Sequence, residues 1–314
     1  MSDLAELAAR AAPKPPAGIV LARAGAGGAV EVAAAGPVEP DAAFELGSIT
    51  KAVTGLLLAD AIVRGEVALD TTLDECLPGA RALRLGDLAS HTAGLPRLSL
   101  AFLRRTFKHR SDPYAGTTVT GLVDDLARVR VRRRRRPHYS NLGAALLGQA
   151  LAVRAGAPYE QLVHERVLAP LGIGELWARN APPVAQPHDR RGRPVPPWTM
   201  GAYAPAGCLR GTARGALSLA TACMSPPPAM ADAVALALTP RARGLTVQFG
   251  LCWIRSPARR GVRMWWHNGG TGGSRSFTAF IPATGEAVAA VTNSRRPPDG
   301  VARRAWSGPR ERIL

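Results

Sequence analysis

Strand-like runs sit at both ends of this 314-residue chain, and helical patterns fill the space between them. Gly18 to Ala24 and Ala29 to Ala35 are runs of small and β-branched residues joined by Gly25-Ala26-Gly27-Gly28, the pattern of a hairpin. From Leu245 the strand signal returns, at Leu245 to Ile254, Val262 to Trp266, Arg275 to Ile281 and Ala287 to Val291. Strands first, helices in the middle and strands last imply one sheet built from both ends of the chain. The expected fold is mixed α/β (α+β): an antiparallel sheet from both chain ends, flanked by helices, with an inserted mainly helical domain. The division this predicts is 1–72 plus 241–314 for the sheet domain and 73–240 for the insertion.

Residues 3 to 12 read as a short amphipathic helix ended by Pro13, Pro15 and Pro16. Ile49 to Arg64 has apolar residues at helical spacing, with Gly65 as its stop. Further helices are expected at Val119 to Val129, Leu142 to Arg154 and Tyr159 to Leu168, whereas the Pro-, Arg- and Gly-rich stretch Ala181 to Pro197 reads as a surface loop. After Arg295 the prolines and glycines leave room only for a short helix around Val301 to Trp306, so the back of the sheet is expected to be thinly covered.

The acids at Asp3 and Glu6 stand where a secretory signal needs basic residues, and no long apolar run follows, which predicts a cytoplasmic protein. No apolar stretch is long enough to span a bilayer, so no membrane partner is expected. Cys76, Cys208, Cys223 and Cys252 lie far apart, without a C-x-x-C pair, and signal neither zinc nor a disulfide framework. They are expected to be reduced and mostly buried.

The net charge is +17, and of the 40 basic side chains only Lys14, Lys51 and Lys108 are lysines. Such a skew reads as compositional bias, and no specific nucleic-acid partner is expected from it. It also singles out Lys51. Arginine cannot give up its proton in a protein, whereas a desolvated lysine can act as a base.

Ser48-Ile49-Thr50-Lys51 is the one S-x-x-K in the chain, at the point where a loop enters a helix. Residues three apart share a helix face, so Lys51 can reach the Ser48 hydroxyl, and free N–H groups at a helix start favour developing negative charge. Tyr139-Ser140-Asn141 precedes the helix beginning at Leu142. A phenol beside an ammonium group can shuttle a proton, and Asn141 offers a donor and an acceptor. His267-Asn268-Gly269-Gly270-Thr271-Gly272-Gly273 is expected to follow the strand Val262 to Trp266 as a glycine-rich edge where backbone amides can hold an oxyanion.

In order and spacing these segments resemble the serine β-lactamase and penicillin-binding-protein superfamily, closest to its class C-like branch of β-lactamases, esterases and D-aminopeptidases. Leu88-Ala89-Ser90-His91-Thr92-Ala93-Gly94-Leu95-Pro96 and Ala169-Pro170-Leu171-Gly172 look like further signatures of it, and the likeness runs over roughly residues 17 to 295. The resemblance implies the β-lactamase/transpeptidase-like fold. It implies Ser48 as nucleophile, Lys51 and Tyr139 as the groups that activate it, and Asn141 as a substrate-positioning residue. The oxyanion would sit between the backbone N–H groups of Ser48 and Gly270, with His267 and Gly269 in the same substrate-binding element. No cofactor or metal is implied. In this family the segment around His91 looks structural, so His91 is left out of the expected site, and His138 reads as packing.

His267 stands where most β-lactamases carry a lysine, and neutral imidazole binds carboxylate weakly, which favours ester, amide or D-amino-acid peptide cleavage over antibiotic hydrolysis. The run Arg132 to Arg136, with Arg104, Arg105 and Lys108, is a candidate for steering an anionic or carrier-bound small-molecule substrate. The alternatives to a hydrolase are a transacylase with an amine acceptor and a non-catalytic binder of anionic partners on the same fold. The oligomeric state is not readable from these patterns.

Overall fold

The structure, a computed structural model, describes residues 3–108, 111–132, 136–258 and 261–306. Its strands are β1 (Ile19–Ala24), β2 (Val30–Ala35), β3 (Phe44–Glu45), β4 (Leu176–Trp177), β5 (Arg210–Gly211), β6 (Ala242–Arg243), β7 (Gln248–Phe249), β8 (Ile254–Arg255), β9 (Trp265–Gly270), β10 (Arg275–Ile281) and β11 (Glu286–Thr292). Eight form one sheet in the order β2-β1-β11-β10-β9-β8-β7-β6, antiparallel throughout. The first and last strands of the chain therefore meet, β1 pairing with β11 from Ile19↔Thr292 to Ala24↔Ala287. A small sheet, β3-β5-β4, joins the segment before Ser48 to the middle of the chain.

Both faces of the large sheet are covered. On the back, Leu4 and Ala8 of the Asp3–Ala11 helix join Ala302, Ala305 and Trp306, at the Asp299–Arg304 helix, over Ile19, Leu21, Phe277, Ile281 and Val288. The expected thin cover is thus replaced by two short helices, one from each end of the described chain. Each is too short to cover the sheet alone, and together they bury a separate apolar layer. On the front, the Ala213–Met224 helix, from within the segment read as the insertion, lies on β10 and β11, where Thr278 Oγ1 donates to the Ala216 carbonyl at 2.8 Å.

The Ile49–Val63 helix is apolar around most of its circumference, and nearly all of it is buried, as a helix surrounded by other elements must be. It packs on the Asn141–Ala155 and Ala231–Ala237 helices and on β9 and β10. Tyr159 to Leu168 is helical, as the pattern implied, but loosens into a π-turn over His164–Leu168.

Two strand expectations shift. Leu245 to Ile254 is broken between β7 and β8, where Cys252 takes a positive φ of 60°. Its backbone leaves the ladder for tertiary partners: Leu251 N–H donates to Ala237 O and Cys252 N–H to Ala89 O, both at 2.9 Å. The strand expected at Val262 to Trp266 begins instead at Trp265 and runs to Gly270, so His267 to Gly270 of the glycine-rich motif lie on the strand and only Thr271 to Gly273 follow it. The cysteines are unpaired; Cys76, Cys223 and Cys252 are buried and Cys208 is half-buried. Arg133 to Arg135 of the arginine run lie outside the described residues. Among the described residues no helix is long and apolar enough to cross a membrane.

Gly55 lets the 250–253 turn sit directly on the Ile49–Val63 helix: a β-carbon there would collide with the Leu251 carbonyl oxygen. Helix propensity alone favours Ala over Gly by about 1 kcal/mol, but an overpacked backbone contact costs about 1–3 kcal/mol. Gly55→Ala is therefore expected to lower stability in a urea titration; a raised midpoint would show that the turn does not press on the helix.

Candidate active site

The segment that delivers Ser48 is held on both sides. Leu46 N–H donates to Leu209 O at 2.9 Å, and Gly47 turns with φ +53° at a point where a β-carbon would collide with the Gly270 backbone. Ser48 then opens the Ile49–Val63 helix, whose first amides have no acceptor within it. Thr50 fixes the entry: its hydroxyl donates to Gly47 O at 2.6 Å and accepts from Leu209 N at 3.0 Å.

One turn on, Lys51 is fully buried. Its Nζ reaches Ser48 Oγ at 2.9 Å and donates to Ala206 O at 2.6 Å. Among the described residues no carboxylate pairs with it. Loss of water pushes the Lys51 pKa down to about 7, and the positive charge of Arg97 pushes the same way. A Cys252 thiolate would pull it up, but burial holds that thiol protonated, its pKa raised to about 12. At neutral pH a large share of Lys51 is therefore the free amine, able to take a proton.

Tyr139 lines the same cleft as Ser48 and lies beside the amine, with Lys51 Nζ 5.0 Å from its ring centroid. Burial raises the phenol well above its ordinary range, so it stays protonated and serves as a donor. His91, left out of the site on sequence grounds, clamps this tyrosine. Its carbonyl accepts the His138 amide at 2.8 Å, its Nδ1 accepts the Ser140 amide at 3.3 Å, and its ring lies 4.7 Å from that of Tyr139. The backbone before and after Tyr139 is thus held, at the His138 and Ser140 amides, by one residue. His91 holds a positive φ of 60° to do this, and burial lowers its pKa to about 3, keeping the imidazole neutral and Nδ1 an acceptor. His138 lines the same turn, its Nδ1 3.0 Å from Leu95 O. Asn141 lies deeper: its Nδ2 donates to Tyr114 Oη at 3.3 Å, and its Oδ1 is buried without a partner.

The third wall is β9. Thr271 N–H donates to Ser274 O at 3.1 Å, closing the turn to β10. Bonded and non-bonded pairs alternate in an antiparallel ladder, so the next pair, Gly270↔Arg275, turns the Gly270 N–H away from β10. Among the described residues β8 pairs with Trp265 and Trp266 and with no later residue of β9, leaving that edge of Asn268 and Gly270 open toward Ser48. Gly269 has to be glycine, since a β-carbon there would strike the Leu46 carbonyl oxygen. His267 is buried next to the Tyr139 ring, with Nδ1 2.7 Å from Asn268 O and Nε2 unpartnered. Burial and the nearby Lys51 lower its pKa to about 3, so it brings no fixed charge.

Ser48, Tyr139, Gly269 and Gly270 line one open cleft of about 440 Å³, whose other walls include Trp198, Arg97, Arg275 and Arg295. Asn141 and His267 stand behind this surface. Sequence reasoning missed the arginines, Trp198 and Glu45. The buried Glu45 carboxylate accepts from Trp198 N (2.7 Å) and Thr271 Oγ1 (2.8 Å), tying one cleft wall to the β9–β10 turn. Its place beside Ser48 in the chain was the one available signal; the partners come from 153 and 226 residues away. Among the described residues no group of three or more His, Cys, Asp or Glu is placed to hold a metal ion.

A family model described as Beta-lactamase matches residues 11–308. Among curated proteins, a "Beta-lactamase" of Escherichia coli is 31% identical over 172 residues, 51% of this chain and 41% of that protein. The D-alanyl-D-alanine-carboxypeptidase/endopeptidase AmpH of Escherichia coli is 31% identical over 45% of this chain and 38% of its own length. The matched region thus spans about two fifths of these relatives. A class C β-lactamase from Rhodobacter sphaeroides superposes with a TM-score of 0.77 at 24% identity, covering 91% of each chain. A D-stereospecific amidohydrolase from Streptomyces gives 0.76 at 23%, covering 92% of each. At these identities the structural matches establish the fold.

Two outcomes are expected from this geometry. Because only the neutral amine of Lys51 accepts a proton, kcat/KM for an uncharged ester should fall about tenfold per pH unit below about 7 and level off above it; a profile flat from pH 5 to 8 would exclude Lys51 as the base. His91→Leu, which removes the acceptor for the Ser140 amide, should cut kcat by about tenfold or more with KM within about twofold. His91→Asn, which keeps an acceptor and tolerates positive φ, should recover most of it, and equal loss in both variants would reduce His91 to a packing residue.

Proposed function

Because the chain belongs to the beta-lactamase family, we propose that it is a serine hydrolase that forms an acyl-enzyme at Ser48 and cleaves an ester or amide of a small molecule. The observation that carries this reading is the buried Lys51 amine, brought to about pH 7 by desolvation and set 2.9 Å from Ser48 Oγ. A structural lysine has no need of that environment.

In the proposed reaction, the Lys51 amine takes the Ser48 proton as Oγ adds to the substrate carbonyl carbon. The carbonyl oxygen becomes an oxyanion at the Ser48 and Gly270 amides, where fixed dipoles meet charge as it develops. As the intermediate collapses, Tyr139 gives its phenolic proton to the departing alkoxide or amine, in concert with proton return from Lys51. Its raised pKa makes it a poor acid alone, so the neighbouring ammonium is needed. Water then adds to the acyl-enzyme carbonyl and yields its proton to the same base. Ser48 leaves reprotonated, and the carboxylic acid is released.

His267 supports an ester or small amide over a β-lactam, since a neutral imbedded imidazole cannot supply the fixed cation that a lysine would offer a carboxylate. Any anionic group on the substrate has to be met by the cleft arginines instead.

Intact-protein mass spectrometry after brief exposure to a p-nitrophenyl ester, a penicillin and a fluorophosphonate should show an adduct on the wild type and none on Ser48→Ala. Lys51→Arg keeps the charge but cannot deprotonate, and should lose acylation by about a hundredfold or more. Absence of both adduct and p-nitrophenol release from the wild type would overturn the hydrolase reading.

A further inference from the structure

Away from the catalytic groups, positive charge concentrates where the 186–198 loop, the residues after β11 and the N-terminal proline segment meet. A cavity of about 500 Å³ there is lined by Lys14, Arg190, Arg191, Arg295 and Arg296, with Asp189 as its one acid. That acid is already committed. Its Oδ2 pairs with Arg193 at 2.7 Å, and its Oδ1 accepts the amides of Arg191 (2.8 Å) and Arg193 (3.0 Å). None of the salt bridges among the described residues involves the five lining cations.

The loop carrying Arg190 and Arg191 is built into the sheet's end. His188 is buried, its N–H donating to Asn293 O at 3.0 Å, while Asn293 Nδ2 donates to Gln186 O and its Oδ1 accepts from Gly18 N, both at 2.8 Å. The cations therefore project from a pinned scaffold. Arg295 lines this cavity and the catalytic cleft alike, so the two share a wall. Beside that wall the partly buried Arg275 feels the like charges of Arg295 and Arg190, opposed by Asp299 alone. Asp299 is itself bonded to Asn268 at 2.8 Å.

Cations gathered without counter-charge repel one another, and a bound anion relieves that repulsion. One carboxylate would leave most of the five unanswered. A phosphate brings up to two charges and accepts bidentate guanidinium forks.

We propose that this basic cavity binds a phosphate group on the substrate of Ser48, the phosphorylated end lying across Arg295 from the reacting carbonyl. The inference rests on the hydrolase reading and narrows it to phosphorylated esters or amides.

The test has a binding arm and a kinetic arm. Inorganic pyrophosphate and acetate are titrated calorimetrically into wild type, Lys14→Gln and Arg190→Gln/Arg191→Gln at constant ionic strength, so that screening is equal throughout. Pyrophosphate is expected to bind wild type at least about tenfold more tightly than acetate, and the double variant is expected to lose about tenfold of that affinity. In the kinetic arm, p-nitrophenyl esters of ω-phosphonoalkanoates of increasing length are compared with uncharged alkanoates of equal length. The longer phosphonates should be preferred by wild type, and the double variant should lose about tenfold of that preference while cleaving the uncharged esters normally. Equal binding of pyrophosphate and acetate, or a preference unmoved in the double variant, would overturn the proposal. If wild type cleaves no ester at all, the hydrolase reading fails, and the calorimetry by itself decides whether the cavity is a phosphate site.

Discussion

Everything at this site depends on one amine kept out of water. Lys51 lies in a helix buried along most of its length, and its hydrogen-bond partners are a carbonyl and a hydroxyl. A carboxylate at hydrogen-bond distance would stabilise the ammonium and remove the base. Between Glu45 and Asp60 the sequence carries no acid, and both of these are engaged elsewhere, Glu45 with Trp198 and Thr271 and Asp60 paired to Arg166 at 2.6 Å. Burying a lysine without an acid costs stability in its charged form, and the protein meets that cost by letting the group titrate near neutrality. The large apolar packing of the Ile49–Val63 helix is what makes this tolerable.

A base alone needs a nucleophile and an oxyanion site at fixed distance, and here the sheet does the spacing. β9 sits against the Leu46–Ser48 segment so closely that neither Gly47 nor Gly269 has room for a side chain. Ser276 Oγ, on β10, donates to Leu46 O at 2.7 Å and fixes the same contact from the next strand. The two candidate oxyanion donors, from Ser48 and Gly270, thus belong to different elements locked together by backbone contact.

This explains what could be read from the sequence and what could not. Ser48, Lys51 and Tyr139 were legible because their relation is local or marked by neighbouring signatures, and the structure brings all three together. Gly269 and Gly270 were recognised as site residues but misplaced after a strand. Glycine is depleted in strands for want of side-chain packing, and the reason for it here, the Leu46 carbonyl, lies more than two hundred residues away. The break at Gly250 to Cys252 was invisible for the same reason, since the carbonyls that draw the chain out of the ladder belong to Ala237 and Ala89. His91 was set aside because its turn looked structural. It is structural, but what it holds in place is the backbone on either side of Tyr139.

The arrangement of charge follows a division that composition alone conceals. Around Ser48 and Tyr139 the ionisable groups are held neutral or nearly so: Lys51 near its titration point, Tyr139 protonated, and His267 and His91, both against the Tyr139 ring, unprotonated. The permanent cations stand one layer out, at Arg97, Arg275 and Arg295 on the cleft wall. Arginine suits that layer because it stays charged whatever its surroundings, so it can attract an anion and help hold the Lys51 pKa down without entering the proton transfers itself. In a chain whose basic side chains are nearly all arginine, one of the three lysines stands where desolvation brings its pKa to about 7.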